Sequence, residues 1–361
     1  MKIIHTGDVH LGSAMRNLPP DKARLRKEEI IDGFRRLCAY AKAQGVAAVL
    51  IAGDLFDGNT PTTSLKKEVF SMIAEAKPAC FFYVSGNHDD EFSYSEALPE
   101  NLYLFSQNHG WKSYDLPENV TITGLDSKYL DEGKYKELSL KKDRFNIVVL
   151  HGDISQGERK NTETISLRRL QNNHINYLAL GHIHIPTLTA ERLDSRGTYR
   201  YCGCLEGRGF DECGKKGFFL LNVADGKLES ETFLSFSKRE LVEIRVDISA
   251  CNTYYDVERT AFSALQNVKR ENVVRLILVG QHTAGLKKDL PLLSHRLCEN
   301  FFFVKISDES RVFIDYAAFL NDLSERGEFV REVGRYEMNE EIRSEIIDVG
   351  LKALAGEEID L

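Results

Sequence analysis

The chain has 361 residues, 42% apolar and 28% charged, which suits a globular protein of two or three domains and excludes a low-complexity or fibrous chain. A formal net charge of −8 excludes a uniformly basic nucleic-acid binder, and no apolar run reaches the roughly 18 residues a membrane helix needs. Seven cysteines in no regular framework, after a start with no long apolar leader, make a reduced cytoplasmic protein the expectation.

Short apolar runs that end in polar or glycine residues read as buried strands: KIIHT (2–6), VAAVLIA (46–52), CFFYVS (80–85), VTITG (120–124), NIVVLH (146–151) and INYLALG (175–181). Between the first three lie helical patterns. Residues 21–44 place Leu25, Ile30, Ile31, Phe34, Leu37 and Tyr40 on one side and end at Gly45, and 64–76 follow a Thr-Thr-Ser start. Strand–helix–strand alternation predicts a layered α/β domain. From 187 the runs TLTAERL, TYRYCG, GFFLLNV and LESETFLSF are separated by turn residues and read as antiparallel hairpins. After a break near SKRE (237–240), VEIRVDI, VVRLILVG and FFFVKIS alternate with helices near 255–268 and 289–299, a small α+β unit. Helices and an acidic tail finish the chain. Residues 320–361 carry five basic and twelve acidic side chains, or −7, which leaves −1 for the other residues. The expected division is 1–238, 239–310 and 311–361.

Most of the strands finish in residue types that can ligate metals. These are Asp8 and His10 in GDVH, Asp54 and Asp57 in AGDLFD, Asn87, His88 and Asp89 in GNHD, His151, and His182 and His184 in GHIH. Carboxyl ends of strands in a layered α/β sheet open onto one crevice, so these residues are expected to meet. Residues two apart on an extended chain point the same way, so each D-x-H and H-x-H pair serves one site. Glycines before Asp8, Asp54, Asn87 and His182 permit close backbone approach. Mixed imidazole, carboxylate and amide donors suit manganese, iron or zinc, and about seven ligands imply two ions sharing a carboxylate, roughly 3.5–4 Å apart.

This order of motifs resembles the calcineurin-like metallophosphoesterases over residues 1 to about 220. The resemblance implies a four-layer α-β-β-α sandwich. It implies Asp8, His10, Asp54 and His184 around one metal, and Asp54, Asn87, His151 and His182 around the other. His88 is implied as the non-ligand catalytic histidine, with Asp89 orienting it. Two divalent ions, manganese above all, are the implied cofactors.

HTGDVHLGS, LIAGDLFD, YLALGHIH and RGFDECGKKGF, with LSERGEFVREV and LKALAGEE near the end, resemble the SbcD-type branch, nucleases of DNA double-strand-break repair. Cys202 and Cys204 stand where that branch often has Pro and a small residue. The narrower resemblance implies a DNA exonuclease and endonuclease acting on single strands or ends. It also implies a DNA-capping domain at 239–310, an SMC-like SbcC-type ATPase held by 311–361, and a homodimer as a further option. Arg16, Arg24, Arg26 and Lys27 are the candidate phosphate contacts on the first helix and the loop before it, against a solvated helix face as the simpler reading. The rival functions are a cyclic-nucleotide phosphodiesterase or protein phosphatase of the same fold, and a DNA-end or ATPase adaptor without activity. His5 is expected to be a packed core histidine.

Overall fold

The structure is a computed structural model that describes residues 1–58, 61–89, 98–105, 109–155, 164–283, 285–313, 319 and 321–356. The chain divides into two compact units, Met1–Leu241 and Val242–Leu361. Of the helical segment expected from 311, residues 314–318, 320 and 357–361 lie outside the described residues.

In the first unit the elements are β1 (Lys2–Thr6), α1 (Pro20–Ala43), β2 (Val46–Ala52), α2 (Thr63–Glu75), β3 (Cys80–Val84), β4 (Leu102–Leu104), β5 (Lys112–Leu116), β6 (Val120–Gly124), α3 (Glu132–Glu137) and β7 (Phe145–His151). They continue with β8 (Asp153–Ser155), β9 (Thr164–Ser166), α4 (Leu167–Leu170), β10 (Tyr177–Gly181), β11 (Glu191–Arg192), β12 (Thr198–Tyr201), β13 (Gly217–Ala224) and β14 (Lys227–Ser235). All six expected strands form; the last begins two residues late, at Tyr177. Two six-stranded mixed sheets result, ordered β14-β13-β1-β2-β3-β4 and β11-β12-β10-β7-β6-β5.

The sheets face each other across a core that includes Leu50, Phe82, Val149, Ala179 and Phe219. Strand residues of alternate parity, such as Ile4, Val49, Ile51 and Phe81, point outward instead and pack with Phe34, Leu37 and Ile73 of α1 and α2. Both faces of the central strands are therefore buried, which is why their sequences are apolar without alternation. The outer face of the second sheet is covered by Leu125, Tyr135, Leu138, Leu167 and Leu170. The described helices there, α3 and α4, have six and four residues.

One expected pairing changes. TYRYCG and GFFLLNV do not form a hairpin: β12 pairs with β10 in one sheet and β13 with β1 in the other. Residues 202–216 thus cross between sheets, a step that polar turn residues alone do not reveal.

The phase of α1 also differs. Leu25 is 39% exposed, while Arg26 is buried at 1% and occupies the inward position ahead of Ile30, Gly33, Leu37 and Ala41. Its guanidinium bonds Glu29 (2.7 Å), Glu206 (3.3 Å) and the Gly207 carbonyl (2.7 Å). Glu29 and Glu206 are themselves buried and held further by Arg239 and Arg36. Arg26 is therefore not a DNA contact: its donors are spent inside the fold. Arg16, Arg24 and Lys27 remain exposed.

The second unit contains β15 (Leu241–Asp247), α5 (Tyr254–Ala264), β16 (Val273–Val279), β17 (Gln281–His282), α6 (Leu290–Cys298), β18 (Phe303–Asp308), β19 (Arg311–Val312), α7 (Glu325–Gly334) and α8 (Glu340–Ala355). Strands β15, β16 and β18 form a three-stranded sheet. Val257, Ala261, Leu293 and Leu297 of α5 and α6 pack with its apolar residues. Val330, Val333 and Ile347 bury a small separate core between α7 and α8.

Substituting Arg26 by Leu strands the buried Glu206 carboxylate with one fewer cation. Losing one partner of a buried ion pair typically costs about 3–5 kcal/mol. Because Arg36 still reaches Glu206, the low end is expected, read as a lower denaturant midpoint of the first unit.

Candidate metal centre

Strands β1, β2 and β3 run parallel in one sheet, and β7 and β10 run parallel in the other. Their carboxyl ends therefore open at common edges, and β2 meets β7 and β10 across the interior. Beyond its strand each chain continues into a tight turn. Asp8 N donates to Gly53 O (3.0 Å) and His10 N to Asp54 O (2.9 Å), so the loops after β1 and β2 run side by side.

Four site residues carry left-handed backbone: Asp8 (φ 48°), His10 (50°), Asp54 (50°) and His182 (98°). Such conformations cost non-glycine residues roughly 1–3 kcal/mol each and persist where the surroundings enforce them. Two glycines make room. A Cβ on Gly53 would overlap the His151 ring, and one on Gly86 would overlap the Asp54 carboxylate. The pre-ligand glycines singled out in the sequence are needed for close approach.

One nest comprises Asp8, His10, Asp54 and His184, whose donor atoms all lie within 4.8 Å of one another. His10 Nε2 is 3.1 Å from His184 Nε2 and 3.5 Å from Asp54 Oδ2. A second group lies against it. Asn87 Oδ1 is 2.9 Å from His151 Nε2 and 3.3 Å from His182 Nδ1, and His151 Nε2 is 3.6 Å from the same Asp54 Oδ2. A single carboxylate oxygen thus stands between the two groups. All seven candidate ligands are brought together.

The donor set fits divalent cations. Asp8 and Asp54 are buried, and among the described residues neither forms an ion pair with a lysine or arginine. Burial, and then the Asp54 carboxylate, push the Asp8 pKa well above the ordinary range. Burial lowers His10, and lowers His151 to about 4, so both rings are held in the neutral, ligating form. Two buried carboxylates facing neutral imidazoles, with no lysine or arginine paired to either carboxylate among the described residues, call for a metal counter-charge.

The partner of His88 differs from expectation. The Asp89 carboxylate accepts the backbone N–H groups of Leu55 (3.2 Å), Phe56 (2.9 Å) and Gly86 (3.0 Å). It ties the β2 and β3 loops together rather than orienting the His88 ring. Burial, and then Asp54, raise its pKa to about 6. The carboxylate beside His88 is Asp57: its Oδ1 is 3.6 Å from His88 Nδ1 and 3.5 Å from His10 Nδ1. The neighbouring His10 ring holds Asp57 well below the usual carboxylate range. His88 itself is 48% exposed, with its ring centroid 5.2 Å from that of His10.

Other contacts were not expected. Glu212 accepts His184 Nδ1–H (2.7 Å) and is paired with Arg208 (2.8 Å), whose Nη1 also lies 3.9 Å from Asp57. Burial would raise Glu212, but the His184 and Arg208 bonds bring it down to about 2. In the sequence both residues lie in RGFDECGKKGF, a stretch that carried the SbcD-type resemblance but assigned no role to Arg208 or Glu212. A cleft of about 310 Å³ beside the centre is lined by Ser13, Arg16, Asn17, Asp57 and Arg208 among others, so Arg16 borders the site. Arg24 and Lys27 lie on exposed positions of α1 and do not line this cleft. His5 is a core residue as expected, buried between Tyr177 Oη (2.9 Å) and Leu180 O (3.2 Å).

The family model for calcineurin-like phosphoesterases matches residues 1–186, which include every candidate ligand. The chain belongs to this family. It is a metal-dependent phosphoesterase with a candidate Asp/His dimetal centre. It is 28% identical over 302 residues to the uncharacterized metallophosphoesterase YhaO of Bacillus subtilis, covering 78% of this chain and 72% of that protein. It is 25% identical to the DNA double-strand break repair protein Mre11 of Methanopyrus kandleri, covering 77% of this chain and 64% of that one. It is 23% identical to the D component of the nuclease SbcCD of Staphylococcus epidermidis, covering 73% of this chain and 80% of that one. No helix among the described residues is long and apolar enough to cross a membrane.

The geometry places Asp54 between the two groups of candidate ligands and Asn87 within one of them. Replacing Asp54 by Asn should abolish binding of both ions, whereas replacing Asn87 by Ala should weaken only one. Calorimetric titration of the metal-free protein with manganese reads the difference.

Proposed function

We propose that this phosphoesterase is a two-metal DNA phosphodiesterase, the nuclease component beside an SMC-like SbcC-type ATPase. The observation that carries the reading is the pair of ligand groups sharing Asp54 Oδ2, in a chain similar to proteins named as a nuclease component and a double-strand break repair protein. Asp8, His10, Asp54 and His184 would hold one ion, and Asp54, Asn87, His151 and His182 the other. Nitrogen donors mixed with oxygen favour manganese over magnesium. Two such ions, when bound, would supply Lewis acidity toward phosphoryl oxygens and a water of lowered pKa.

The protein's own part is orientation and proton handling. His88 stands half-exposed at the mouth, with Asp57 beside its Nδ1, so its Nε2 is left to meet a phosphoryl or leaving oxygen. The backbone N–H of His88 donates to Asp54 Oδ1 (2.9 Å), which fixes the His88 loop to the shared carboxylate. On this reading residues 1–238 form the nuclease domain, 239–310 cap the DNA, and 311–361 hold the ATPase. Ile342 (53% exposed) and Ile346 (40%) lie one turn apart on acidic α8, an apolar pair suited to a partner's groove and ill suited to DNA. Arg16 at the cleft is a candidate phosphate contact, and Arg24 and Lys27 are at most peripheral ones. Single strands or DNA ends are the proposed substrate, and the cell interior the proposed location.

Assays of the wild-type chain and of three variants test this. The purified chain should cleave short single-stranded DNA with manganese and lose that activity in EDTA. Hydrolysis of bis-p-nitrophenyl phosphate without any DNA cleavage would overturn the nuclease reading while leaving the phosphoesterase intact. His88→Ala should cut turnover about 10²–10⁴-fold with both ions still bound. Asp57→Asn should lower turnover by a smaller factor through His88. Asp89→Asn should act mainly on the stability of the loop.

A further inference from the structure

We propose that Glu212, locked in place by Arg208, is the positioning residue of the His184 half of the centre and governs the affinity of one ion rather than both. The proposal rests on the two-metal reading above. The residues concerned lie on the crossing segment that carries the chain from β12 in one sheet to β13 in the other.

Glu212 is 2% exposed and both of its oxygens are engaged. Oε1 accepts His184 Nδ1–H at 2.7 Å and the Arg208 side chain at 2.8 and 3.2 Å. Oε2 accepts the Arg208 backbone N–H at 2.6 Å. A carboxylate held at both oxygens cannot swing, so it admits one orientation of the imidazole. In that orientation His184 Nδ1 carries the proton and Nε2 faces His10 and the buried carboxylates. The His184 backbone is fixed from the same segment: fully buried Lys216 donates Nζ to its carbonyl (2.9 Å), as does the N–H of Cys204 (3.2 Å).

The other half of the centre has a weaker device. The remote nitrogen of His151 meets the neutral Ala52 carbonyl at 2.9 Å. A carboxylate behind an imidazole makes it a stronger donor and orients it more firmly than a carbonyl does, and loss of such a partner typically lowers metal affinity about 10–100-fold. Because His184 belongs to one ligand group only, that loss falls on one ion. Had Glu212 served only to neutralise half-buried Arg208, the fold would depend on it while the metals would not.

The full-length chain, stripped of metal, is titrated with manganese by calorimetry, and free manganese is followed by its six-line paramagnetic resonance spectrum. Glu212→Gln keeps the volume and removes the charge. The expected result is one ion per chain bound about 10–100-fold more weakly, the second within about twofold of wild type, and free manganese visible at two equivalents. Arg208→Met should weaken the same ion to a smaller degree. Should Glu212→Gln fail to fold, Glu212→Asp, which keeps the charge but retracts it from His184, should show the same one-ion loss. Unchanged binding of both ions overturns the proposal. So does an equal loss of both accompanied by a lower melting temperature of the metal-free chain, which marks Glu212 as merely structural. A wild-type chain that binds no manganese overturns the two-metal reading itself.

Discussion

The buried carboxylate of Asp54 is the constraint around which the first unit is arranged. One oxygen takes a backbone N–H from the β3 loop, and the other stands between imidazoles from two different sheets. Burying a charge at such a point is costly without a counter-charge. The surrounding features each reduce that cost or enforce the position. Glycine at 86 leaves space for the carboxylate, the paired loops after β1 and β2 fix the left-handed turns, and the neutral histidines offer lone pairs to a cation.

Around this point the fold places further carboxylates beside the seven candidate ligands. Asp57 stands behind His10 and His88, Glu212 behind His184, and Asp89 gathers three backbone N–H groups that join two loops. They differ in role because they differ in what they touch. Asp89 gathers loop backbone and so fixes loop shape, whereas Asp57 and Glu212 meet imidazole nitrogens of the centre. Arg208, between the latter two, links them electrostatically.

The charge distribution follows the same separation of roles. The acidic excess sits in 320–361, where α7 and α8 pack on each other through a small apolar core and leave Ile342 and Ile346 in solvent. In the first unit the basic side chains of α1 are divided by helix phase. Arg26 turns inward to Glu29 and Glu206 and is structural, while Arg24 and Lys27 turn outward.

Much of the centre was legible in the sequence because strand ends in a parallel α/β sheet converge by topology, so ligand residue types at five such ends imply one site. Local patterning was equally direct for β1, β2 and α1, whose apolar runs and bounding glycine carry their limits. What the sequence alone could not decide were matters of register and direction. A hydrophobic pattern does not say that Arg26 rather than Leu25 faces inward, since a buried arginine is stable only if distant Glu206 meets it. The family resemblance implied that Asp89 orients His88, but the Asp89 carboxylate meets the loop backbone, and Asp57 from another strand end lies beside His88 instead. Glu212 became a partner of His184 only because the chain crosses between sheets after β12. Hydrogen bonds between residues far apart in sequence depend on that packing, and no local spacing encodes it.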